Sequence, residues 1–393
     1  MSPVEVSGFR AAGIACGIKP SGNPDLALVV SERPAAAAAV FTSNRFPGAP
    51  VVVSKAHLRG GRARGVVVNS GISNVANGAR GLRDAREMAA LLAREIGARP
   101  SDIQVASTGV IGQPLPMDRL REGIPRAAAA LSPHGFEAAA RAILTTDTVP
   151  KLVHRRGRGF ALAGFAKGAG MIMPRMATML AYLVTDLAVE PALLRRALRG
   201  AVGATFNALT IDGETSTSDT VLVLANGAAG NPPIGVGSAR AREFERLLAD
   251  ASSELCERLA RDGEGVTKLA TVAVRGARSD RDADKVARSV ANSALVKTAL
   301  FGGDPNWGRV VQAVGAAGVP LLPARVGVRI AGVELLRGGE PTGGPAARKR
   351  AGRAMKAKQV GIEISLGRGP GRARILTTDL SYEYVRVNAE YTT

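Results

Sequence analysis

The stretch from Lys167 to Thr185, KGAGMIMPRMATMLAYLVT, holds the side chains best placed for chemistry. Gly168 and Gly170 flank one small residue and allow close backbone approaches. Pro174 restricts the chain three residues before Ala177. After Thr178 comes MLAYLVT, an apolar run of strand length, so Thr178 is expected at the mouth of a buried strand. A threonine so placed becomes reactive if the bond before it is broken. Its hydroxyl could attack the Ala177 carbonyl, giving an ester that water hydrolyses, and the new chain would begin with Thr178. The freed α-amine would lie beside its own hydroxyl, with an ordinary pKa near ~7.7–8.0 that suits a general base at neutrality. This is the way a weak hydroxyl nucleophile is activated by an N-terminal amine. It also dispenses with histidine: only His57, His134 and His154 are present, none in a context that suggests a triad. Taken alone, the segment permits this chemistry without selecting it. Most Ala-Thr pairs before a strand are ordinary strand residues, and GAG without a Walker pattern or a strand-borne GxGxxG is no phosphate loop.

The elements that must position this segment read as mixed α and β. Short buried strands are expected at Leu26–Val30, Val51–Val53, Val66–Val68 and Ile103–Ala106, and later at Val266–Val274, Val326–Ile330, Val360–Ile364 and Ile375–Thr378, with a strand-like YVRVNAEY run near the tail. Helical periodicity marks 81–96, where Met88, Leu91, Leu92 and Ile96 recur at three to four residues, and also 135–144 and 190–202. It marks 238–259 as well, with Ser238 as N-cap and Phe244, Leu247, Leu248, Leu255 and Leu259 on one stripe. Glycine-rich stretches at 157–159, 230–237 and 338–352 read as linkers, the last as a mobile loop. None clearly separates independent domains, so an α/β architecture is expected in which two halves share a core.

Composition narrows the class. At 393 residues, 46% hydrophobic and a mean hydropathy of +0.08, the chain can bury a sizeable core. No window approaches ~18 uninterrupted apolar residues, and no basic-then-apolar leader opens the chain, so neither a membrane span nor a secretory signal is expected. Cys16 and Cys256 form no metal-type spacing and suit a reducing compartment, with the cytoplasm as default. Lys+Arg of 52 against Asp+Glu of 33 gives +19, which raises the question of a nucleic-acid partner. The excess is mostly scattered Arg, the one dense run being Arg348–Lys358, and only 4% of residues are aromatic, so a base-stacking platform is lacking. Attraction of anionic substrates is the more modest expectation.

Ten ordered blocks then bring in a family. They are GFRAAGIACGIK (8–19), AVFTSNRF (39–46), VVVNSGISNVANG (66–78), ASTGVIG (106–112), ILTTDTVPK (143–151), KGAGMIMPRMATML (167–180), TFNALTIDGETSTSDT (205–220), DGEGVTK (262–268), DPNWGR (304–309) and YVRVNAEYTT (384–393). Together they resemble the ornithine acetyltransferase family, self-cleaving enzymes whose bifunctional members also make N-acetylglutamate from acetyl-CoA. The resemblance implies a layered, Ntn-hydrolase-like α/β fold and cleavage at Ala177–Thr178 into an α chain (1–177) and a β chain (178–393). It implies Thr178 as nucleophile, and Thr108 with Gly109 as the oxyanion hole that acyl transfer requires. For substrate it implicates Thr146 (or Thr145, one register away), Lys167, Thr178, Glu264, Asn388 and Thr393. Lys167 suits a carboxylate and Glu264 an ammonium.

The implied reaction is ping-pong. Acetyl passes from N2-acetyl-L-ornithine to Thr178 and then to L-glutamate, with no metal or held cofactor and with acetyl-CoA as a further candidate co-substrate. The two chains are expected to stay associated, as a dimer of heterodimers. Departures from the family pattern include Arg175 near the cleavage site, NSGISNVANG in the glycine-rich block and IDGET for VDGDT. These bear on acceptor and pathway, and the tail and FTSNRF lean towards homologues of secondary metabolism. An N-terminal-nucleophile amidohydrolase or aminopeptidase, with water as acceptor, is the alternative enzyme. A basic nucleic-acid-binding protein ranks far behind.

Overall fold

The structure, a computed structural model, describes residues 5–173 and 179–390. Its contacts divide the chain into two compact units, one of Met1–Asn207 with Glu214–Leu259, the other of Ala208–Gly213 with Ala260–Tyr391. The first unit contains β1 (Phe9–Ile14), β2 (Leu26–Phe41), α1 (Ala49–His57), β3 (Arg62–Ile72), α2 (Gly78–Glu95), β4 (Ile103–Val110), α3 (Met117–Ala129) and α4 (Phe136–Ala142). It continues through β5 (Lys151–Gly157), β6 (Phe160–Lys167), β7 (Leu180–Thr185), α5 (Pro191–Ala204) and β8 (Thr220–Ala225) into α6 (Ala239–Arg261). Strand order is β4-β3-β2-β8-β7-β6-β5, with β1 also paired to β2.

The long strand β2 explains how one sheet makes two wings. Leu26–Val30 pairs with β3, Ala36–Phe41 pairs with β8, and the register breaks between Val30 and Ala35. Pro34 lies in that break and has no N–H for a ladder, so the chain bulges there instead of pairing. The inner faces of both wings then share one core. It joins Val29, Val66, Val68 and Ala106 to Phe165, Tyr182, Leu222 and Leu224, and takes in Phe136 and Ala139 of α4. Phe165 stacks edge-on to Phe136 at 6.4 Å and tilts against Tyr182 at 5.5 Å. The outer face of the first wing, Leu28, Val67, Ile103 and Val105, is covered by Val53 of α1, Met88 and Leu92 of α2 and Leu120 and Ile124 of α3. Strands from both sides of residue 177 therefore build a single core, as expected of two halves that fold together.

In the second unit, β9 (Leu269–Ala277), α7 (Asp280–Ala291), α8 (Ala294–Gly302), α9 (Trp307–Gly315), β10 (Gly327–Ile330), β11 (Val333–Arg337) and β12 (Glu340–Pro341) come first. They are followed by α10 (Gly344–Ala354), β13 (Gln359–Ser365), β14 (Gly371–Thr378) and α11 (Tyr382–Glu390). The sheet order is β12-β11-β10-β13-β9-β14, and its core includes Val272, Ile362 and Ile375 packed with Val286 and Val290 of α7.

Most expected elements are present, and α6 is capped as read, with Ser238 Oγ accepting from Ala241 N at 3.0 Å. Three differ. Val51–Val53 is helical: Pro50 sits in the first turn of α1, and Ser54, one turn on, exchanges hydrogen bonds of 2.8 Å with the Val105 backbone. The supposed mobile loop at 338–352 runs into α10, whose Ala347 and Ala351, with the C-cap Met355, form an i, i+4, i+8 buried stripe beneath an exposed basic face. The strand-like YVRV run is α11, started by Ser381 Oγ accepting from Tyr384 N and reinforced by the Glu383–Arg386 and Arg386–Glu390 ion pairs at helical spacing. Among the described residues no helix is long and apolar enough to cross a membrane.

Candidate active site

The parallel pairing of β3 and β4 sets Ser70 beside Thr108 and Gly71 beside Gly109. Beneath them lies a row of buried polar groups: Ser107 Oγ donates to Asn69 Oδ1 at 2.6 Å, and Ser70 Oγ donates to the Ala142 carbonyl at 2.6 Å. Gly109 has φ +125°, and a Cβ on it would fall 2.3 Å from the Gly71 carbonyl carbon. Conformation and space both require glycine there. Thr108 itself is buried at the end of the sheet.

Across the core, β6 ends on Lys167, paired in register with Leu180 of β7. Four strands separate β4 from β6 in the sheet order, yet the folding of the wings brings Lys167 Nζ to 3.2 Å from Thr108 Oγ1. The same ammonium donates to Thr145 Oγ1 at 2.7 Å. Of the two threonines in the register question, Thr145 thus meets Lys167, while Thr146 is half-buried next to it. A lysine can only donate, so Thr108 accepts from it and keeps its own proton for another acceptor.

Asp147 organises this corner. Its carboxylate, fully buried, accepts from Lys151 Nζ at 2.5 Å, Gly168 N at 2.6 Å and Thr145 N at 3.2 Å. Burial pushes its carboxyl up, but the charges of Lys167 and Lys151 and these hydrogen bonds outweigh that and hold it below the usual carboxylate range. Lys19 feels the same cluster. Burial lowers its ammonium to about 8, Asp25 opposing, Lys167 adding and Asp147 opposing. Its stem lies 3.3 Å from where a Gly71 side chain would begin. Two buried lysines on one carboxylate, with a third nearby, leave excess positive charge suited to an anionic group.

Ala177 and Thr178, the expected scissile pair and nucleophile, lie outside the described residues, as does Thr393. The described chain resumes at Met179, whose N–H donates to the buried Asp219 Oδ1 at 2.8 Å. In the second unit, Glu264 and Asn388 come together, with Asn388 Nδ2 donating to Glu264 Oε2 at 2.8 Å. The loop bearing Glu264 is held by Ser381 Oγ, which donates to the Gly265 carbonyl at 2.6 Å. Cys16 and Cys256 are pushed up to about 12, both chiefly by burial, and are held as thiols.

Asp147, Lys151, Lys19 and Asp219 were not singled out from the sequence, although each stands in a quoted block. The signal available was the Asp-x-x-x-Lys spacing of TTDTVPK.

Comparison with known proteins identifies the family. The ArgJ family model matches residues 10–393. The arginine biosynthesis bifunctional protein ArgJ of Geobacter sulfurreducens is 48% identical, over 99% of this chain and 100% of that protein. Its counterpart from Symbiobacterium thermophilum is 48% identical over 98% and 97%. A crystal structure of the arginine biosynthesis bifunctional protein argJ from Bacillus halodurans matches with a TM-score of 0.50 and 38% identity, covering 52% of this chain and 96% of that one. The chain belongs to the ArgJ family, the ornithine acetyltransferases that its ten blocks resemble.

Proposed function

We propose that this protein cleaves itself between Ala177 and Thr178 and then carries acetyl from N2-acetyl-L-ornithine to L-glutamate on the Thr178 hydroxyl. The observation that bears most weight is the convergence of Thr108, Gly109, Thr145 and Lys167 at the end of the sheet where β7, two residues after Thr178, begins. In the first half-reaction Thr178 Oγ bonds to the acetyl carbonyl carbon and its proton passes to the α-amine. The oxyanion is met by the Thr108 hydroxyl, whose oxygen already accepts from Lys167, and by the Gly109 N–H. The carbon–nitrogen bond then breaks and ornithine leaves with the proton. Glutamate's amine attacks the ester in the second half, the carbon–oxygen bond breaks, and Thr178 recovers its proton. No cofactor enters this sequence, and acetyl-CoA would serve as an alternative donor to the same ester.

Lys167, in a corner of net positive charge, is the partner for a substrate carboxylate. The matching Bacillus halodurans chain is little more than half as long as this one, in keeping with a family whose chains are halved. The fragments would remain together, because β6 and β7 stay paired across the cut, and would assemble as a dimer of heterodimers. The test is direct. Denaturing gels of the purified chain should show fragments of about 18 and 22 kDa, in proportion to length, with Thr178→Ala uncut. Acetyl transfer should need glutamate as well as acetylornithine. An intact, fully active chain would sink the mechanism, and glutamate-independent hydrolysis would replace transferase by amidohydrolase.

A further inference from the structure

None of the described side chains of α11 is buried, yet this helix carries Asn388, whose Nδ2 meets Glu264. A nine-residue helix without a buried stripe is marginal by itself, so its place depends on ties at its start. Those ties converge on residues 378–381, which lead from β14 into α11. Asp379, buried there, accepts from Thr267 N at 3.0 Å and Lys268 N at 3.1 Å on one oxygen, and from the Thr267 hydroxyl on the other. Its own N–H donates to the Lys268 carbonyl at 3.1 Å. Two residues on, Ser381 Oγ donates to the Gly265 carbonyl at 2.6 Å and accepts from Tyr384 N at 3.3 Å. Gly265 has φ +65°, and a Cβ on it would fall 2.3 Å from Tyr384 N, so loop and helix approach backbone to backbone. From α8, the buried Lys297 Nζ donates to Thr378 Oγ1 at 3.0 Å and to the Thr378 carbonyl, while the Lys297 carbonyl accepts from Leu380 N at 3.3 Å. Burial lowers the Lys297 ammonium to about 8, with Asp212 and Asp379 opposing.

Glu264 stands three residues before Thr267, and Asn388 lies in the second turn of α11. We propose that Asp379 is a positioning residue for recognition of the donor's side-chain ammonium: it fastens the loop bearing Glu264 to the helix bearing Asn388, so that the two side chains meet a cationic substrate as one preset pair. The inference rests on the reading of Glu264 as the ammonium partner of N2-acetylornithine. Asp379 makes and breaks no covalent bond and acts through Glu264 and Asn388. With no apolar stripe beneath α11, loosening the Asp379 tie frees the helix, and the Glu264 carboxylate then loses the Asn388 donor that orients it. Glutamate ends in a carboxylate and gains nothing from Glu264, so the device favours the donor over the acceptor.

The test measures acetyl transfer by the full-length protein as purified: wild type, Glu264→Gln, Asp379→Asn, Ser381→Ala and the double variant Asp379→Asn/Glu264→Gln, each checked for folding by circular dichroism. Asp379→Asn keeps the shape and one oxygen but turns an amide NH2 towards the donors of the loop. KM for acetylornithine should rise about 10- to 100-fold, the worth of one hydrogen bond to a charged group, with kcat and KM for glutamate nearly unchanged. Ser381→Ala should move the same constant in the same direction by a smaller factor. The double variant should bind acetylornithine no worse than Glu264→Gln does, because Asp379 acts through Glu264. A general loosening would raise both KM values, lower kcat, or add to the Glu264→Gln effect. Each of those results overturns the proposal, as does a folded Asp379→Asn chain with the wild-type KM for acetylornithine. If Asp379→Asn fails to fold, Ser381→Ala decides, and a wild-type constant there overturns the proposal. A Glu264→Gln chain with the wild-type KM for acetylornithine overturns the ammonium assignment, and the proposal with it. Absence of transfer in the wild type overturns the proposed function instead, and is seen before any variant is compared.

Discussion

Asp147→Asn puts the charge logic of the candidate site under the most direct strain. The Asp147 and Lys151 side chains are 0% and 1% exposed and lie 2.5 Å apart, so neither charge has water to fall back on. Asparagine keeps an oxygen for the Gly168 N–H, now at 2.6 Å, but leaves Lys151 and Lys167 without their shared carboxylate. Removing one partner of a buried ion pair typically costs about 3–5 kcal/mol, and that is the loss expected here in urea denaturation at pH 7. The companion Asp147→Asn/Lys151→Met variant should recover most of it, because the ammonium left behind, rather than the missing attraction, carries most of the penalty. The pH dependence has a fixed sign. Asp147 is held below its ordinary value, so its contribution is present above the unfolded carboxylate pKa of about 3.9 and is lost as pH falls through the folded one. The gap between wild type and variant should therefore close in acid. A single variant within about 0.5 kcal/mol of wild type, the usual range for a surface change, would refute the reasoning. So would a double variant no more stable than the single.

Thr108→Val keeps shape but removes the oxyanion donor; kcat should fall about 100- to 1,000-fold with little change in KM, measured as acetyl transfer to glutamate. Gly109→Ala combines φ +125° with a backbone clash at 2.3 Å and should cost more than about 3 kcal/mol. Gly112→Ala, at φ +85° with nothing within 4 Å, should cost only about 1–2 kcal/mol in the same melting experiment. Competitive labelling of amines should give Lys19 a midpoint of about 8, and Lys167→Met should raise it by removing a like charge. The folded state binds Lys19's proton less tightly than the unfolded chain does. This unfavourable contribution is thus fully present below about 8 and disappears as pH rises towards the ordinary lysine range.

The sequence was legible where one periodicity ran long enough to be unambiguous. The stripe Phe244, Leu247, Leu248, Leu255 and Leu259 defined α6 because each is buried at helical spacing. The second half of β2 was not legible. Its AAAAAVF run is neutral to periodicity, and Pro34 reads as a terminator until the bulge that accommodates it is seen. Val51–Val53 and the YVRV run misled because three valines in one and two in the other carry β propensity without period, and capping and ion pairs outweighed it. The site divides in the same way. Thr108, Gly109 and Lys167 could be named only through the family resemblance, since they lie far apart in sequence and meet only when β2 bends. Asp219 looked like one more polar loop residue, because burial is a property of the fold and leaves no mark on the letters TSTSDT.

The location of the proposed cut follows from the same bend. Residues 168–179 join β6 to β7, which pair with each other in the sheet from Lys167 and Leu180. β7 is held on its other side by β8, in parallel register from Leu180–Thr220 to Thr185–Ala225. The new end would therefore be anchored on both sides from its third residue onward, and by Asp219 from its second. A cut in an exposed surface loop would produce an amine free to sample solvent. The strand that follows the proposed cut begins at Leu180, opposite Lys167, whose ammonium meets Thr108 and Thr145. Under the proposed function, the strand junction as well as the identity of threonine is needed for this Ala-Thr pair to act as a nucleophile. That requirement predicts that Leu180→Pro, which would break the pairing of β7 with Lys167 but leave Thr178 in place, abolishes transfer as completely as Thr178→Ala. Retention of activity in a folded Leu180→Pro chain would show that the junction is dispensable.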